Sequence, residues 1–259
     1  MFDSRILTEK RDGVGTVIFG MEKEMNPTNP VTIRLIDQAL NELLGDPEVK
    51  AIVLTGGDKV FAAGGDIPYM AASGVLEMEE FIADAHRVND KIATADKPVI
   101  AAIGGFALGG GCELALACDM RIAGENAVLG MPEINIGLFP GGGGTQRLAR
   151  AVGWSWARHL IYTGELISAE KAMRIGLVTQ VVPVDRLQET AFKQARSIAR
   201  KSPRALASAK RCIAMSEKAT MDDAMMFEQK QWAILFAGQD KTEGLNAFLE
   251  NRRPVYTGK

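Results

Sequence analysis

The sequence predicts an α/β core with a helical C-terminal appendage, and three observations carry that prediction. Up to about residue 145, short apolar runs alternate with segments of helical spacing. Beyond it, helical stretches dominate, which places helices after the sheet rather than between its strands. The run A-I-V-L-T at 51–55 is apolar throughout instead of alternating, as in a strand of a sheet covered on both faces.

Taken in order, G-T-V-I-F at 15–19 reads as a strand, paired with the residues before the Asp12-Gly13 turn signal. Asn26-Pro27-Thr28-Asn29-Pro30 is a loop. Apolar residues at helical spacing (Val31, Ile33, Leu35, Ile36, Leu40, Leu43, Leu44) then predict a helix over 31–44, stopped by Gly45-Asp46-Pro47. After the strand at 51–55 comes a small-residue loop, F-A-A-G-G-D-I at 61–67. A helix is expected over 78–95 and a β-branched buried strand over 99–103.

Gly104-Gly105 and Gly109-Gly110-Gly111 mark sharp turns or close backbone approach. The 112–118 segment reads as a short helix that is apolar almost all round. Short strands follow at 120–123 and 128–129, then P-E-I-N-I-G at 132–137 and four consecutive glycines at 141–144. Helices are expected at about 146–152, 155–163, 168–174, 184–201, 203–216, 221–236 and 241–251. No low-complexity segment and no fixed-period repeat is visible.

Length and composition bound the function. The 259 residues suffice for one large domain, or one domain with an appendage. Hydrophobic content of 47% and charged content of 24% are those of an ordinary globular protein. A net charge of −2 leaves no electrostatic footprint for nucleic acid or an anionic membrane. Three cysteines without metal-ligand spacing suggest a reducing compartment, and the N-terminus shows no apolar signal core, so a cytoplasmic location is expected. A transmembrane reading of 99–118, which holds one charged residue, founders on five glycines and the lack of an aromatic belt.

That one charged residue is Glu113. An isolated carboxylate in an apolar helix must be paired, hydrogen-bonded or shifted in pKa, and such groups are enriched at functional sites. A second carboxylate, Glu133, is the only acid between Glu125 and Glu165 and lies among apolar neighbours. Alone, Glu113 also admits a structural reading, tying down loop amides, and Glu133 a reading as a solvated loop charge. Together, two glutamates in environments that separate their pKa values fit a general base and a general acid. Gly64-Gly65 and Gly109-Gly110 each follow a buried strand and can present an unobstructed N–H, and two converging N–H groups make an oxyanion hole. Neither a G-x-G-x-x-G nor a P-loop pattern fits these glycines.

F-A-A-G-G-D-I at 61–67, A-L-G-G-G-C-E-L-A at 107–115 and P-E-I-N-I-G-L-F-P-G-G-G-G-T-Q-R-L at 132–148 closely resemble the crotonase family, the enoyl-CoA hydratase/isomerase superfamily. The resemblance extends to Asn26, to 163–172 and to 243–254, and so covers the chain. It implies a spiral core of ββα units over 1–195 and a C-terminal helical region over 196–259 that builds a trimer or a dimer of trimers. It implies an acyl-CoA substrate and no cofactor beyond the coenzyme A that the substrate carries; no nucleic-acid or membrane partner is expected, on the net charge.

Matched by motif, the thioester oxygen falls between the N–H groups of Gly65 and Gly110. Glu113 and Glu133 fall on the two glutamates that add water across the α,β double bond. Ala63, Gly65, Asp66, Ile67, Gly110, Pro132 and Gly141 fall on the substrate-binding wall, with the adenine among Ala63, Gly65 and Ile67 and the pantetheine between the two glycine loops. Two departures bear on ligand fit: Gly65 replaces a common alanine, and Pro27 stands where a small residue often lines the adenine pocket. An RNA-binding relative would need a basic helix face, but the 31–44 helix carries Arg34 against Asp37 and Glu42. A non-enzymatic acyl-CoA-binding subunit is disfavoured by retention of both glutamates.

Other chemistry-bearing residues read blandly. His86 and His159 lie on predicted helices away from every glycine loop. Cys112, on an apolar helix with no histidine near it in sequence, reads as a buried inert thiol. Met70 and Met131 stand beside the site motifs as pocket lining or core filler.

Overall fold

The computed structural model describes residues 5–259. Strands β1 (Ile6–Arg11) and β2 (Val14–Phe19) form an antiparallel hairpin through Asp12 and Gly13, both at positive φ. Helix α1 (Pro30–Gly45) starts where the Asn29 side chain accepts from the Val31 and Thr32 N–H groups, while Thr32 Oγ1 accepts from Asn29 N–H. Ile33, Ile36, Leu40 and Leu43 form its buried face.

From there the chain repeats one move. Strand β3 (Ala51–Thr55) is followed by β4 (Val60–Ala62) and helices α2 (Ile67–Ala72) and α3 (Val75–Thr94). Strand β5 (Val99–Ile103) leads to β6 (Phe106–Leu108) and α4 (Gly110–Ala117). Strand β7 (Met120–Gly124) leads to β8 (Val128–Gly130), a 3-10 turn at Pro132–Ile136 and α5 (Gly144–Thr163). The first strand of each unit joins a six-stranded sheet of order β1-β2-β3-β5-β7-β10, where β10 is Gln180–Val182. The second joins a four-stranded sheet of order β4-β6-β8-β9, where β9 is Ile167–Ser168. All neighbours after β2 in the larger sheet are parallel. The result is a spiral of ββα units, as the family resemblance implied.

The continuous apolar strands are explained by two cores. Ile52, Leu54, Val99, Ala101 and Ile103 face the core shared with α1, α3, α4 and the smaller sheet. Their alternates Ala51, Val53, Ile100 and Ala102 face the opposite side, where α7 (Leu187–Ala199) lays down Leu187, Ala191 and Ala195. Period-2 side-chain alternation with both faces covered leaves no position for a polar residue.

Several expectations are corrected in detail. Strands β4 and β6 lie in the glycine-rich segments that read as loops. Helix α3 starts at Val75 instead of residue 78, and α2 precedes it. The 184–201 helix opens as a 3-10 turn at Val184–Arg186. The break expected between 152 and 155 is present: Gly153, at φ 79° and ψ 159°, interrupts α5. The boundary at 195/196 falls inside α7, whose Ala195 is core. Past α6 (Ala169–Arg174) and α7, the chain ends in α8 (Pro203–Met215), α9 (Met221–Leu235) and α10 (Gln239–Leu249). Within the described chain α8 buries only Ala207 and α9 buries nothing.

Candidate active site

Strand β6 ends at Leu108, and Gly109 turns the chain into α4. Gly109 holds φ 49° and ψ −123°, a conformation open in practice to glycine alone, and its N–H donates to Gly130 O at 2.9 Å. This turn aims the N-terminus of α4 into a cavity of about 820 Å³. Gly110 is the first residue of α4, where backbone N–H groups have no partner within the helix.

The second glycine loop is clasped to it. Thr28 N–H donates to Gly64 O at 2.8 Å and Asp66 N–H to Thr28 O at 3.0 Å, so Gly65 is bracketed by hydrogen bonds that spare its own N–H. Among the described residues neither Gly65 N–H nor Gly110 N–H meets a protein acceptor. The loops touch: a methyl group on Gly64 would stand 3.1 Å from Leu108 O. Asn26 holds this arrangement from beneath. Buried at positive φ, it accepts from Met21 N–H and donates to Val60 O and Phe61 O.

Both glutamates open onto the same cavity. Glu113, 4% exposed, sits one turn into α4, and its Oε1 accepts from Gly144 N–H at 2.8 Å. Burial holds its pKa above the usual carboxylate range, while the Gly144 and Gly142 amides and the nearby Arg147 guanidinium favour the anion and offset part of that rise. Glu133 lies in the 3-10 turn after Pro132. Its Oε2 is buried without a partner among the described residues. Burial pushes its pKa up to about 7; a hydrogen bond from its own backbone N–H opposes this, and the Glu113 charge adds a lesser push upward. One carboxyl is thus hydrogen-bonded in the form that favours the anion, and the other is left poised near neutrality.

Of the residues singled out in the sequence, Ala63, Gly65, Ile67, Gly110, Glu113, Pro132, Glu133 and Gly141 all line this cavity. Asp66 does not. Its carboxylate caps α2, accepting from Tyr69 N–H at 3.0 Å and from Asn29 Nδ2 at 3.0 Å. Pro27 also lies off the wall, its carbonyl accepting from Thr32 Oγ1. Met70 lines the cavity, whereas Met131 is core beneath Gly144. Cys112 is buried and its thiol is pushed up to about 12 by burial and by the charges of Glu133 and Glu113, so it is inert.

His86 is a satisfied histidine, as expected, but not one remote from the glycine loops. It lies on α3 at the cavity wall, and its Nε2–H donates to Gly141 O at 2.6 Å. One turn on, Asn89 Nδ2 donates to Gly142 O at 2.9 Å. The contact bridges more than fifty residues, and the one signal in the sequence was the spacing of His86 and Asn89 on one helix face. His159 is a surface residue bonded to Glu165, as expected. Among the described residues no group of three or more His, Cys, Asp or Glu side chains could hold a metal ion. None of the described helices is long and apolar enough to cross a membrane.

Comparison with known proteins places the chain among enoyl-CoA hydratase relatives. A family model described as enoyl-CoA hydratase/isomerase matches residues 9–259. A crotonyl-CoA hydratase of Syntrophomonas wolfei is 42% identical, covering 98% of each chain. A short-chain-enoyl-CoA hydratase of Clostridium acetobutylicum is 39% identical, covering 96% of each. In three dimensions, the crystal structure of an enoyl-CoA hydratase from Bacillus anthracis superposes with a TM-score of 0.95 at 35% identity, covering 98% of this chain and all of that one.

Proposed function

The chain belongs to the enoyl-CoA hydratase/isomerase family, and from that premise we propose that it catalyses reversible syn addition of water to the α,β double bond of an enoyl-CoA thioester. The observation that carries this reading is the convergence in one cavity of two differently tuned glutamates and two unspent backbone N–H groups. The thioester oxygen lies between the Gly65 and Gly110 amides, which stabilise the enolate as negative charge reaches that oxygen. Such a donor contributes roughly 10²–10³ in rate.

Glu113, held as an anion by the Gly144 and Gly142 amides, takes a proton from water, and the water oxygen bonds to the β-carbon. Glu133, with its pKa near 7, gives its proton to the α-carbon. The double bond is consumed, the 3-hydroxyacyl thioester is formed, and the proton of the pair ends on Glu113. Exchange with solvent returns it to Glu133. Coenzyme A is part of the substrate, and the reaction balances without a further cofactor. Ala63, Gly65 and Ile67 form the adenine wall, with the pantetheine threading between the two glycine loops.

The names of the relatives support a short acyl chain, and crotonyl-CoA is the substrate to test. Loss of enoyl-thioester absorbance should be rapid in the wild type. It should fall by about 10²–10⁴ in Glu113→Gln and in Glu133→Gln, with acyl-CoA binding kept. Near wild-type turnover in either variant refutes the role given to that residue. Acyl-CoA binding without hydration by the wild type would move the reading to isomerisation.

The C-terminal helices carry the expected self-association. Ile213, Met225, Met226, Trp232 and Leu235 line an open groove between α8 and α9, and Phe248 and Leu249 stand exposed on α10. We assign this apolar surface to contacts between copies of the chain in a trimer or a dimer of trimers. With no nucleic-acid footprint and no membrane-spanning helix among the described residues, a cytoplasmic acyl-CoA enzyme is the reading that fits.

A further inference from the structure

The glycine loop at 141–144 is held from two sides, and only one of them is chemistry. On one side its amides grip Glu113: Gly144 N–H lies 2.8 Å from Oε1, and a methyl group on Gly142 would come within 2.5 Å of Oε2. On the other side its carbonyls are taken by α3. His86 Nε2–H donates to Gly141 O at 2.6 Å and Asn89 Nδ2 to Gly142 O at 2.9 Å. Arg147 adds a longer bond to Gly142 O at 3.4 Å and is itself fixed by Asp90, on the next residue of α3, at 2.5 Å. Four glycines in a row have no side chains with which to fix their own conformation. Asn89 is 3% exposed, far more buried than packing alone asks of a carboxamide.

We propose that Asn89, together with His86, is a positioning residue: it fixes the 141–144 loop so that the loop's amides hold the Glu113 carboxylate in line for proton transfer. The inference rests on the hydratase reading for its kinetic consequences, while the positioning itself is a property of the ligand-free protein. Its chain of contacts is continuous, from the Asn89 carboxamide through one peptide unit to the amides on Glu113. A misplacement of order 1 Å at a reacting group costs about 10²-fold in rate, whereas a residue that touches no substrate leaves binding nearly unchanged.

The sign of the pH effect follows. Titratable and charged groups facing Glu113 are Glu133 from the 3-10 turn, Arg147 from α5 with Asp90 behind it, His86 from α3 and Cys112 beside it on α4. Loosening the loop weakens the amide hydrogen bonds that favour the anion and leaves the burial that opposes it. Glu113 then protonates more readily, and the acid limb of the rate profile moves to higher pH.

The test compares Asn89→Ala, His86→Ala and His86→Gln with the wild type on crotonyl-CoA across pH. Arg87→Gln serves as control on the same helix, since among the described residues Arg87 pairs only with Asp84, at the exposed face. Expected are a fall of about 10–100-fold in kcat with KM within about threefold, and an acid limb displaced upward in both alanine variants. His86→Gln, which restores an N–H donor, should recover most of the loss, and Arg87→Gln should match the wild type. Wild-type kcat and an unmoved acid limb in both alanine variants would overturn the proposal. If Asn89→Ala does not fold, the His86 pair decides alone. If the wild type does not hydrate crotonyl-CoA, the hydratase reading fails separately. The positioning is then read by infrared titration of the Glu113 carboxyl in ligand-free protein, with Glu113→Gln as reference. An unshifted titration in Asn89→Ala sinks it.

Discussion

Glu133 differs from Glu113 in what surrounds it, and that difference sets a pH dependence that is open to measurement. In the proposed mechanism the pair works with one proton: Glu113 ionised, Glu133 protonated. Glu133 releases its proton at about pH 7, because burial and the neighbouring Glu113 charge both oppose a second anion. Above that pH the pair is doubly ionised, and no acid remains for the α-carbon. Hydration kcat/KM should therefore fall as pH rises through about 7, approaching tenfold per pH unit. Dehydration needs the same total of one proton, shifted to Glu113, so its kcat/KM should show the same basic limb. A flat profile from pH 6 to 9 in both directions would contradict this assignment. At this scale the sequence was readable, since two acids in apolar, glycine-rich surroundings are anomalous wherever they fold. The clamp on Glu113 was not readable. His86 and Asn89 meet Gly141 and Gly142 only through tertiary structure, and their shared helix face, the one local signal, does not identify a partner so distant in sequence.

At the scale of elements, the start of α4 concentrates the constraints. Gly109 has backbone angles that an alanine adopts at a cost of about 1–3 kcal/mol. Its missing side chain is also the space that Glu133 uses: a methyl group there would lie 2.8 Å from Glu133 Oε1. Gly109→Ala should lower the melting temperature by roughly 2–4 °C per kcal/mol lost. It should also reduce turnover far beyond what that stability change explains, because Glu133 must move. A variant that melts lower but keeps full activity would show that the space beside Gly109 is not needed for catalysis. The long elements were legible because α1, α3, β3 and β5 carry strong periodicity or unbroken apolar runs. Strands β4 and β6, three residues each, were not. They are too short for a pattern, and they sit among the glycines that bring the two loops together.

The whole molecule hides its own regularity. Its ββα units begin at residues 51, 99 and 120, and the first carries two helices while the second carries one short one. No fixed period survives in the sequence, although the same turn is made each time. The larger sheet buries its apolar surface on both faces, so the core needs no partner. The C-terminal helices differ. Trp232 is 63% exposed, Phe248 81% and Leu249 77%, on helices that bury almost nothing within the described chain. Large apolar side chains left in water are costly, and association would remove them from it at about 25 cal/mol per Å². The wild type should therefore sediment at three or six times the 27.9 kDa of one chain. Trp232→Arg combined with Phe248→Asp should shift it toward the single-chain mass, because a charge at an apolar contact must be desolvated without a partner. Both residues lie outside the wall of the catalytic cavity, so the dissociated chains should keep their secondary structure. A wild type that stays monomeric at tens of micromolar would mean that this face serves another purpose. An oligomer that survives the double substitution would place the interface elsewhere on the spiral.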